Sequence, residues 1–149
     1  MILFSGSACD TLLAPRWWKV LGNETGRLLR YRNPRIVGAE ALSEQQMQRV
    51  NMQYRGKHHA TDVLSFSADE SVARSVGEPL DMGDLFLCSA YAKREAHRRG
   101  ISHEEELARL VIHGVLHLAG YDHATVREEG VMFKKQESCL ERVLLLLRV

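Results

Sequence analysis

The chain alternates short apolar runs with longer segments in which apolar residues recur every three or four positions. Short apolar runs bounded by turn signals are typical of β-strands, and the longer period is typical of amphipathic helices. The pattern predicts strands at residues 1–4, 35–39, 62–66 and 84–88. It predicts helices at residues 15–30, 43–54, 89–99, 102–117 and 125–147. In the last helix, Phe133, Leu140, Val143 and Leu147 fall on one predicted apolar stripe.

These elements follow one another without an internal repeat, a low-complexity tract or a linker rich in proline, glycine or serine. A chain of 149 residues is long enough to bury a core without disulfides. We therefore predict one domain over residues 1–149, of α/β (α+β) class. The predicted architecture is a small mixed four-stranded sheet packed with about five helices.

Composition narrows the class of protein. Hydrophobic residues make up 45% and charged residues 26% of the chain, which excludes a disordered protein. The formal net charge is only +1, so any contact with a polyanion must come from local patches. Cys9, Cys88 and Cys139 are odd in number and have no metal-binding spacing, which favours a reducing compartment. The apolar runs at both ends are too short for a signal peptide or a membrane helix, so we predict a cytoplasmic protein.

The strongest chemical signal is the spacing H-x-x-x-H-x-x-G-x-x-H, which runs from His113 through His117 to His123. Residues four apart on a helix lie about 40° apart around its axis, so the first two imidazoles point to a common place. Gly120 allows the helix to end and the third histidine to approach. Three imidazoles around a tetrahedral zinc ion leave one position open for water, whose pKa zinc lowers to about 7.

The helix that carries this motif is apolar almost all round, which predicts that it is buried. Unpartnered imidazoles in such a helix would each cost about 1–3 kcal/mol, so ordinary core histidines are a poor explanation. The spacing resembles that of the metzincin zinc proteases, but Gly114 stands where those enzymes have their glutamate base. We therefore predict a zinc site at the end of a buried helix, and we rank a protease below another hydrolase.

The segment His-Gly-Val-Leu-His-Leu-Ala-Gly-Tyr-Asp-His strongly resembles the signature of the YbeY family of bacterial endoribonucleases. Residues 51–66, Asn-Met-Gln-Tyr-Arg-Gly-Lys-His-His-Ala-Thr-Asp-Val-Leu-Ser-Phe, are similar to a second block of that family. Gly83-Asp84-Leu85 is similar to a third. The resemblance extends from about residue 38 to the C-terminus.

By this resemblance, His113, His117 and His123 hold one zinc ion per chain, and Arg55 is the catalytic or RNA-positioning arginine. A guanidinium offers a bidentate fork that suits a phosphodiester. The resemblance implies a single-strand-specific, metal-dependent endoribonuclease that acts in ribosomal RNA maturation, at the 16S rRNA 3′ end, and in ribosome quality control. Implied partners are ribosomal RNA and ribosome or small-subunit assembly proteins, with no DNA and no membrane.

The chain departs from the family pattern at Ala60 and Ser67, where the family often has proline. These changes alter loop stiffness and put the positioning of Arg55 in doubt. Asp62 and Asp84, at predicted strand starts, are either support for the metal ligands or turn caps. Asp122 has the same two interpretations. Tyr121 is predicted to pack over the site.

Two groups of basic and polar residues are candidates for phosphate contacts. One is an edge formed by Asn51, Tyr54, Arg55 and Lys57. The other is the cluster Lys93, Arg94, His97, Arg98 and Arg99, for which nearby glutamates favour a solvated helix face. His58, His59, His97 and His103 have no metal-binding spacing and stay unassigned. Met132 is more simply explained by packing than by a place beneath the metal.

Two other functions remain open, of which the first depends on the family resemblance. The first is a zinc-stabilised ribosome assembly factor with little catalysis. The second is another zinc hydrolase such as a metalloprotease, against which the glycine at position 114 argues.

Overall fold

A computed structural model of the chain describes residues 1–57, 61–69 and 76–148. The strands are β1 (Ile2–Ser5), β2 (Arg35–Leu42), β3 (Val63–Ser67) and β4 (Leu80–Cys88). The helices are α1 (Ser7–Thr11), α2 (Pro15–Leu28), α3 (Glu44–Arg55), α4 (Ser89–Arg99), α5 (His103–Leu118) and α6 (Val126–Leu147). Ala60, His58 and His59 lie outside the described residues.

The four strands form one sheet in the order β1-β2-β4-β3. β1 pairs with β2 and β2 with β4 in parallel, whereas β3 pairs with β4 antiparallel, so the predicted mixed sheet is confirmed. The described residues form six helices, one more than the sequence predicted. The additional helix is the short α1, which the hydrophobic period misses because it detects only longer segments. Within the described residues, no helix has both the length and the apolar character that crossing a bilayer requires.

The two faces of the sheet bury different groups of side chains. Leu85 and Leu87 of β4 point into the main core, which also contains buried residues of α2, α5 and α6. Cys88 points to the opposite face, where it packs with Leu64 and with Met47 of α3. The edge strand β3 therefore has α5 on one side and α3 on the other, which places these two helices around the same edge of the sheet.

Helix α5 is the buried centre of the fold, as its sequence predicted. Leu107, Val111, Ile112, Val115 and Leu116 are each at most 1% exposed. Ser102 caps the helix, since its side chain accepts a hydrogen bond from the backbone N–H of Glu105. The helix contacts the sheet on one side and α6 on another. Its C-terminal end is thus held in place by the core.

Helix α6 packs differently from the stripe that the sequence predicted. Its buried residues are Met132, Gln136, Cys139, Leu140 and Val143. Phe133 is 60% exposed, so its inclusion in the buried stripe was wrong. The helix instead presents the neighbouring residue, Met132, to the core. Contacts with α5 and α2 decide which face of α6 is buried, and the helical period alone does not fix that face to a single position.

Candidate metal centre

The three histidines of the motif come together at the C-terminal end of α5. His113 and His117 lie one turn apart on the helix, and their Nε2 atoms are 3.1 Å apart. Gly120, at φ 99°, ends the helix in the left-handed conformation and directs the chain towards His123. One potential ligand nitrogen from each of the three residues lies within 4.8 Å of the other two. The triad therefore forms a cluster that can hold a metal ion.

The donor set fits zinc. Ligand nitrogens 2.0–2.1 Å from a tetrahedral zinc ion lie about 3.3 Å from one another, close to the 3.1 Å separation of the Nε2 atoms of His113 and His117. Burial lowers the pKa of His117, and the positive charges of His113 and His123 lower it further. A lowered pKa favours the neutral imidazole, which is the form that binds a metal.

Gln136 of α6 supports the triad through a contact with His113. Its Oε1 atom lies 2.7 Å from Nδ1 of His113, and its own side-chain amide donates a 3.1 Å hydrogen bond to Glu137. Because an amide oxygen only accepts, His113 must carry its proton on Nδ1. Its Nε2 lone pair is thereby directed to the centre of the triad, which is how outer partners orient metal ligands.

The support continues into a network of charges between α5 and α6. Arg109 donates to Glu137 and Glu106, with closest distances of 3.1 Å in each case. Glu106 is only 2% exposed. Burial by itself raises the pKa of Glu137, but hydrogen bonds from Arg109 and Gln136 outweigh this and hold it below its ordinary value. Glu137 therefore remains an acceptor that fixes the amide of Gln136.

Sequence reasoning missed Gln136 and Arg109. A signal for the first was present, because Gln136 is a polar residue on the buried face of an apolar helix, where such residues are rare without a partner. The partner, His113, is 23 residues away in sequence. Met132, interpreted from the sequence as packing, is 2% exposed within the main core.

The triad opens into a cavity of about 560 Å³, the Arg55 cavity. Arg55 is the last residue of α3, which ends at Gly56 in the left-handed conformation, and it reaches the cavity from the opposite side of β3. No acidic residue of the described chain forms an ion pair with it. The cavity is lined by Arg55, Thr61, Asp62, Val63, Ser65, His113, Gly114, His117, Gly120, Tyr121, Asp122 and His123.

This cavity is lined by three residues that the sequence analysis placed near the site. Asp62 accepts hydrogen bonds from the backbone N–H of Val63 at 2.8 Å and from the Thr61 hydroxyl at 3.3 Å, so it caps the start of β3. Asp122 accepts from the backbone N–H of His123 at 2.7 Å and fixes the turn that carries that histidine. Tyr121 contributes part of the wall.

Asp84 lies elsewhere. It is inside β4 and not at a strand start, because pairing with β2 extends β4 back to Leu80. Its side chain covers Gly38 of β2 and lines a separate cavity with Asp81. Burial raises the pKa of Asp84, and the negative charges of Asp81 and Glu40 add to this effect. Asp84 does not line the Arg55 cavity.

The predicted phosphate-contacting edge is only partly available to a ligand. Asn51 is 1% exposed, so including it was wrong: the helix turns that side chain inward. Tyr54 is 61% exposed and packs the edge of its ring against Phe66, on the face of the sheet opposite the triad. Lys57 is exposed. Arg55 is thus the basic residue of this edge that faces the histidines.

The second basic cluster behaves as a solvated helix face. Arg94 forms an ion pair with Glu44, and both Arg98 and Arg99 pair with Glu95. These two glutamates offset part of the positive charge that would attract a phosphate. His103, left unassigned by the sequence, lies 3.3 Å from the Ser89 hydroxyl at the start of α4.

Comparison with known proteins gives consistent matches. A family model described as Endoribonuclease YbeY matches residues 19–144. A protein of that name from Bdellovibrio bacteriovorus is 39% identical over 104 residues, which are 69% of this chain and 64% of the relative. One from Frankia alni is 42% identical over 66% of this chain and 58% of its own length. The matched part thus spans less than two thirds of these two relatives.

A protein of the same name from Geobacillus is 40% identical over 71% of each chain. The solution structure of the Thermotoga maritima protein TM1509 resembles this fold with a TM-score of 0.66 at 28% identity. That likeness covers 99% of this chain and 92% of the other. The family match begins at residue 19, so it includes most of α2 as well as the segments quoted from the sequence.

Proposed function

The chain belongs to the YbeY endoribonuclease family, and from that premise we propose that it is a zinc-dependent endoribonuclease that cleaves single-stranded RNA. The observation that carries the proposal is the shared cavity. A histidine triad that fits a metal ion and an arginine with no acidic partner among the described residues face the same space of about 560 Å³. Both elements promote phosphodiester cleavage, because a metal ion acts as a Lewis acid and a cation stabilises the charge that develops on the phosphate oxygens.

In this proposal His113, His117 and His123 hold one zinc ion per chain. Bound there, zinc supplies Lewis acidity and lowers the pKa of a water ligand. Gln136 holds the proton of His113 on Nδ1 so that Nε2 remains a ligand. Asp122 fixes the backbone of His123 and so the position of the third imidazole.

Arg55 is the proposed catalytic residue. Its guanidinium is always charged and can donate two parallel hydrogen bonds to the non-bridging oxygens of a phosphodiester. Since it lines the cavity that contains the triad, a phosphate bound there would contact both. Charge that develops on the phosphate oxygens during cleavage would then be stabilised by a group that is already in place.

Family membership supports ribosomal RNA as the substrate, with maturation of the 16S rRNA 3′ end and ribosome quality control as the processes. Ribosome or small-subunit assembly proteins are the proposed partners, and the cytoplasm is the proposed location. RNA is favoured over DNA because the matching family is one of endoribonucleases. Product ends identify the nucleophile: a 2′,3′-cyclic phosphate indicates attack by the ribose 2′-hydroxyl, whereas a 5′-phosphate indicates attack by water, because 2′-hydroxyl attack leaves a 5′-hydroxyl.

The protease alternative has little support in the site. Gly114 faces β4, and a Cβ at this position would lie 2.6 Å from Cδ2 of Leu85. The position that carries the general base in metzincins is therefore a point of close packing in this fold. The two carboxylates that line the Arg55 cavity, Asp62 and Asp122, already accept backbone hydrogen bonds.

Metal analysis combined with a cleavage assay on purified ribosomal RNA tests the proposal. The wild-type protein should contain one zinc ion per chain and cleave RNA. His117→Ala should lose both properties. Arg55→Ala should keep zinc and thermal stability but cleave about 100- to 1000-fold more slowly, as when one charge-stabilising donor is removed.

Arg49→Ala is the matched control, because Arg49 is an exposed arginine on the same helix that does not line the cavity. It should cleave RNA at the wild-type rate. Unchanged cleavage by His117→Ala would reveal a contaminating nuclease or a wrong site. Zinc binding without any cleavage by the wild type would favour the assembly-factor alternative.

A further inference from the structure

A second cavity, of about 470 Å³, adjoins the triad on the side of α6. We name it the Phe133 cavity. It shares Asp62, Val63, His113 and His123 with the Arg55 cavity, so the histidines form the boundary between the two spaces. Its volume is within the range of small-molecule sites. It is further lined by Arg99, Glu106, Arg109, Leu110, Glu129, Met132, Phe133, Gln136 and Glu137.

Phe133 gives this cavity an aromatic wall. The ring is 60% exposed although the adjacent Met132 is almost completely buried. A single exposed apolar residue needs no explanation in general. Here the ring lines a cavity that contains two of the three triad histidines, together with the apolar side chains of Leu110 and Val63. An aromatic face beside a metal centre is suited to a flat, uncharged ligand.

The charges of the Phe133 cavity exclude a phosphate as that ligand. Its two arginines are already paired, Arg109 with Glu106 and Glu137 and Arg99 with Glu95. Four carboxylates line the space against these two arginines. A phosphate is therefore attracted to the Arg55 side of the triad, where the cation has no acidic partner among the described residues, and repelled from this side.

From this asymmetry we propose that the Phe133 cavity binds a nucleobase of the RNA, stacked on the Phe133 ring, while the phosphate next to it lies in the Arg55 cavity. The inference rests on the proposed endoribonuclease function and adds a subsite to it. A base can reach Phe133 only when it is not stacked within a duplex. The subsite thus gives a physical reason for cleavage of single strands.

Binding of a short single-stranded oligonucleotide to the zinc-loaded protein tests the subsite. The probe is a fluorescent 2′-O-methyl oligoribonucleotide, with its integrity checked on a gel. Phe133→Ala should weaken binding by about tenfold, the loss typical of one stacked base. Phe133→Tyr should bind as the wild type does. Phe133→Leu should be nearly as weak as the alanine variant, because it keeps an apolar surface but has no π-face.

Val131→Ala is the matched control: Val131 is 45% exposed on the same helix but does not line the cavity. A series of oligonucleotides with one base removed at each position distinguishes stacking on Phe133 from a purely structural role of that residue. Oligonucleotides that lack one base at a time should show a single position whose loss weakens the wild type but not Phe133→Ala. That position should lie next to the cleaved bond in the corresponding unmodified RNA.

The two proposals fail in different ways. If the wild type cleaves RNA and Phe133→Ala binds the probe as tightly as Val131→Ala, the subsite is wrong and the proposed function stands. Wild-type binding by Phe133→Leu would also overturn stacking. If the wild type neither binds nor cleaves RNA, both proposals fail. A change in self-association of Phe133→Ala without a change in RNA binding would assign the ring to a protein contact instead.

Discussion

The histidine triad and Arg55 line the same cavity, yet the rest of the protein supports them in different ways. His113 donates a hydrogen bond to Gln136, lies on a buried helix and is backed by an ion-pair network that joins α5 to α6. Arg55 is exposed, ends its helix and has no acidic partner among the described residues. The core therefore supports the triad, whereas Arg55 lies at the margin of the core.

The difference corresponds to what each region is proposed to do. Ligands of a metal must converge within a few tenths of an ångström, so outer contacts that fix their orientation are valuable. An arginine that binds a phosphate must keep its charge unpaired until the substrate arrives, so an acidic partner would compete with the ligand. We therefore predict that substitutions in the α5–α6 contacts that support the triad alter zinc affinity or stability. Substitutions in α3, the helix that carries Arg55, should alter neither strongly.

The largest effect is expected for Arg109→Ala. This change leaves the buried carboxylate of Glu106 without its closest cation, and loss of one partner from a buried pair costs about 3 kcal/mol or more. Urea unfolding of the metal-free protein measures the free energy of unfolding directly. Arg98→Ala, which removes an exposed partner of Glu95, is the control and should show no measurable change. Equal free energies of unfolding for Arg109→Ala and Arg98→Ala would contradict the proposed role of the ion-pair network behind the triad.

Gln136→Leu should have the next largest effect, and on metal affinity more than on folding. The leucine keeps the volume but removes the acceptor for His113 Nδ1, so zinc affinity should fall about 10- to 100-fold. Competition with a chromophoric chelator measures this. Gln136→Glu retains an acceptor and should restore most of the affinity. Wild-type affinity in the leucine variant would show that the 2.7 Å contact does not orient the ligand.

Ser43→Ala should have the smallest effect. Ser43 and Gln46 form a capping box at the start of α3, the helix that ends at Arg55. Loss of the cap should lower the free energy of unfolding by about 1 kcal/mol. Zinc affinity should not change, because the cap lies at the end of α3 opposite to Arg55. A drop in zinc affinity would mean that the two regions are coupled more closely than the structure indicates.

Much of the site was predictable because its signal is local. The spacing of His113 and His117 on one helix, and Gly120 as the residue that ends it, depends only on helix geometry and on glycine's freedom at positive φ. The strands and long helices were predictable for the same reason. The prediction for Phe133 failed because a helical period defines a stripe only to within a neighbouring position, and packing decides which one is buried.

Contacts between distant segments were not predictable in this way. The extension of β4 to Leu80 depends on pairing with β2, and the contact of Gln136 with His113 depends on how α6 packs against α5. The family resemblance named Arg55, but only the structure shows that it lines the triad's cavity from across an edge strand.

By itself, the sequence determined which residues are able to bind a metal and that two of them share a helical face, since a helix repeats every 3.6 residues in any surroundings. Tertiary structure alone decided what supports those ligands and which arginine lies beside them without an acidic partner among the described residues. It also decided that an aromatic ring is left exposed at the boundary of the site. These features depend on packing between segments far apart in sequence, which local periodicity does not encode.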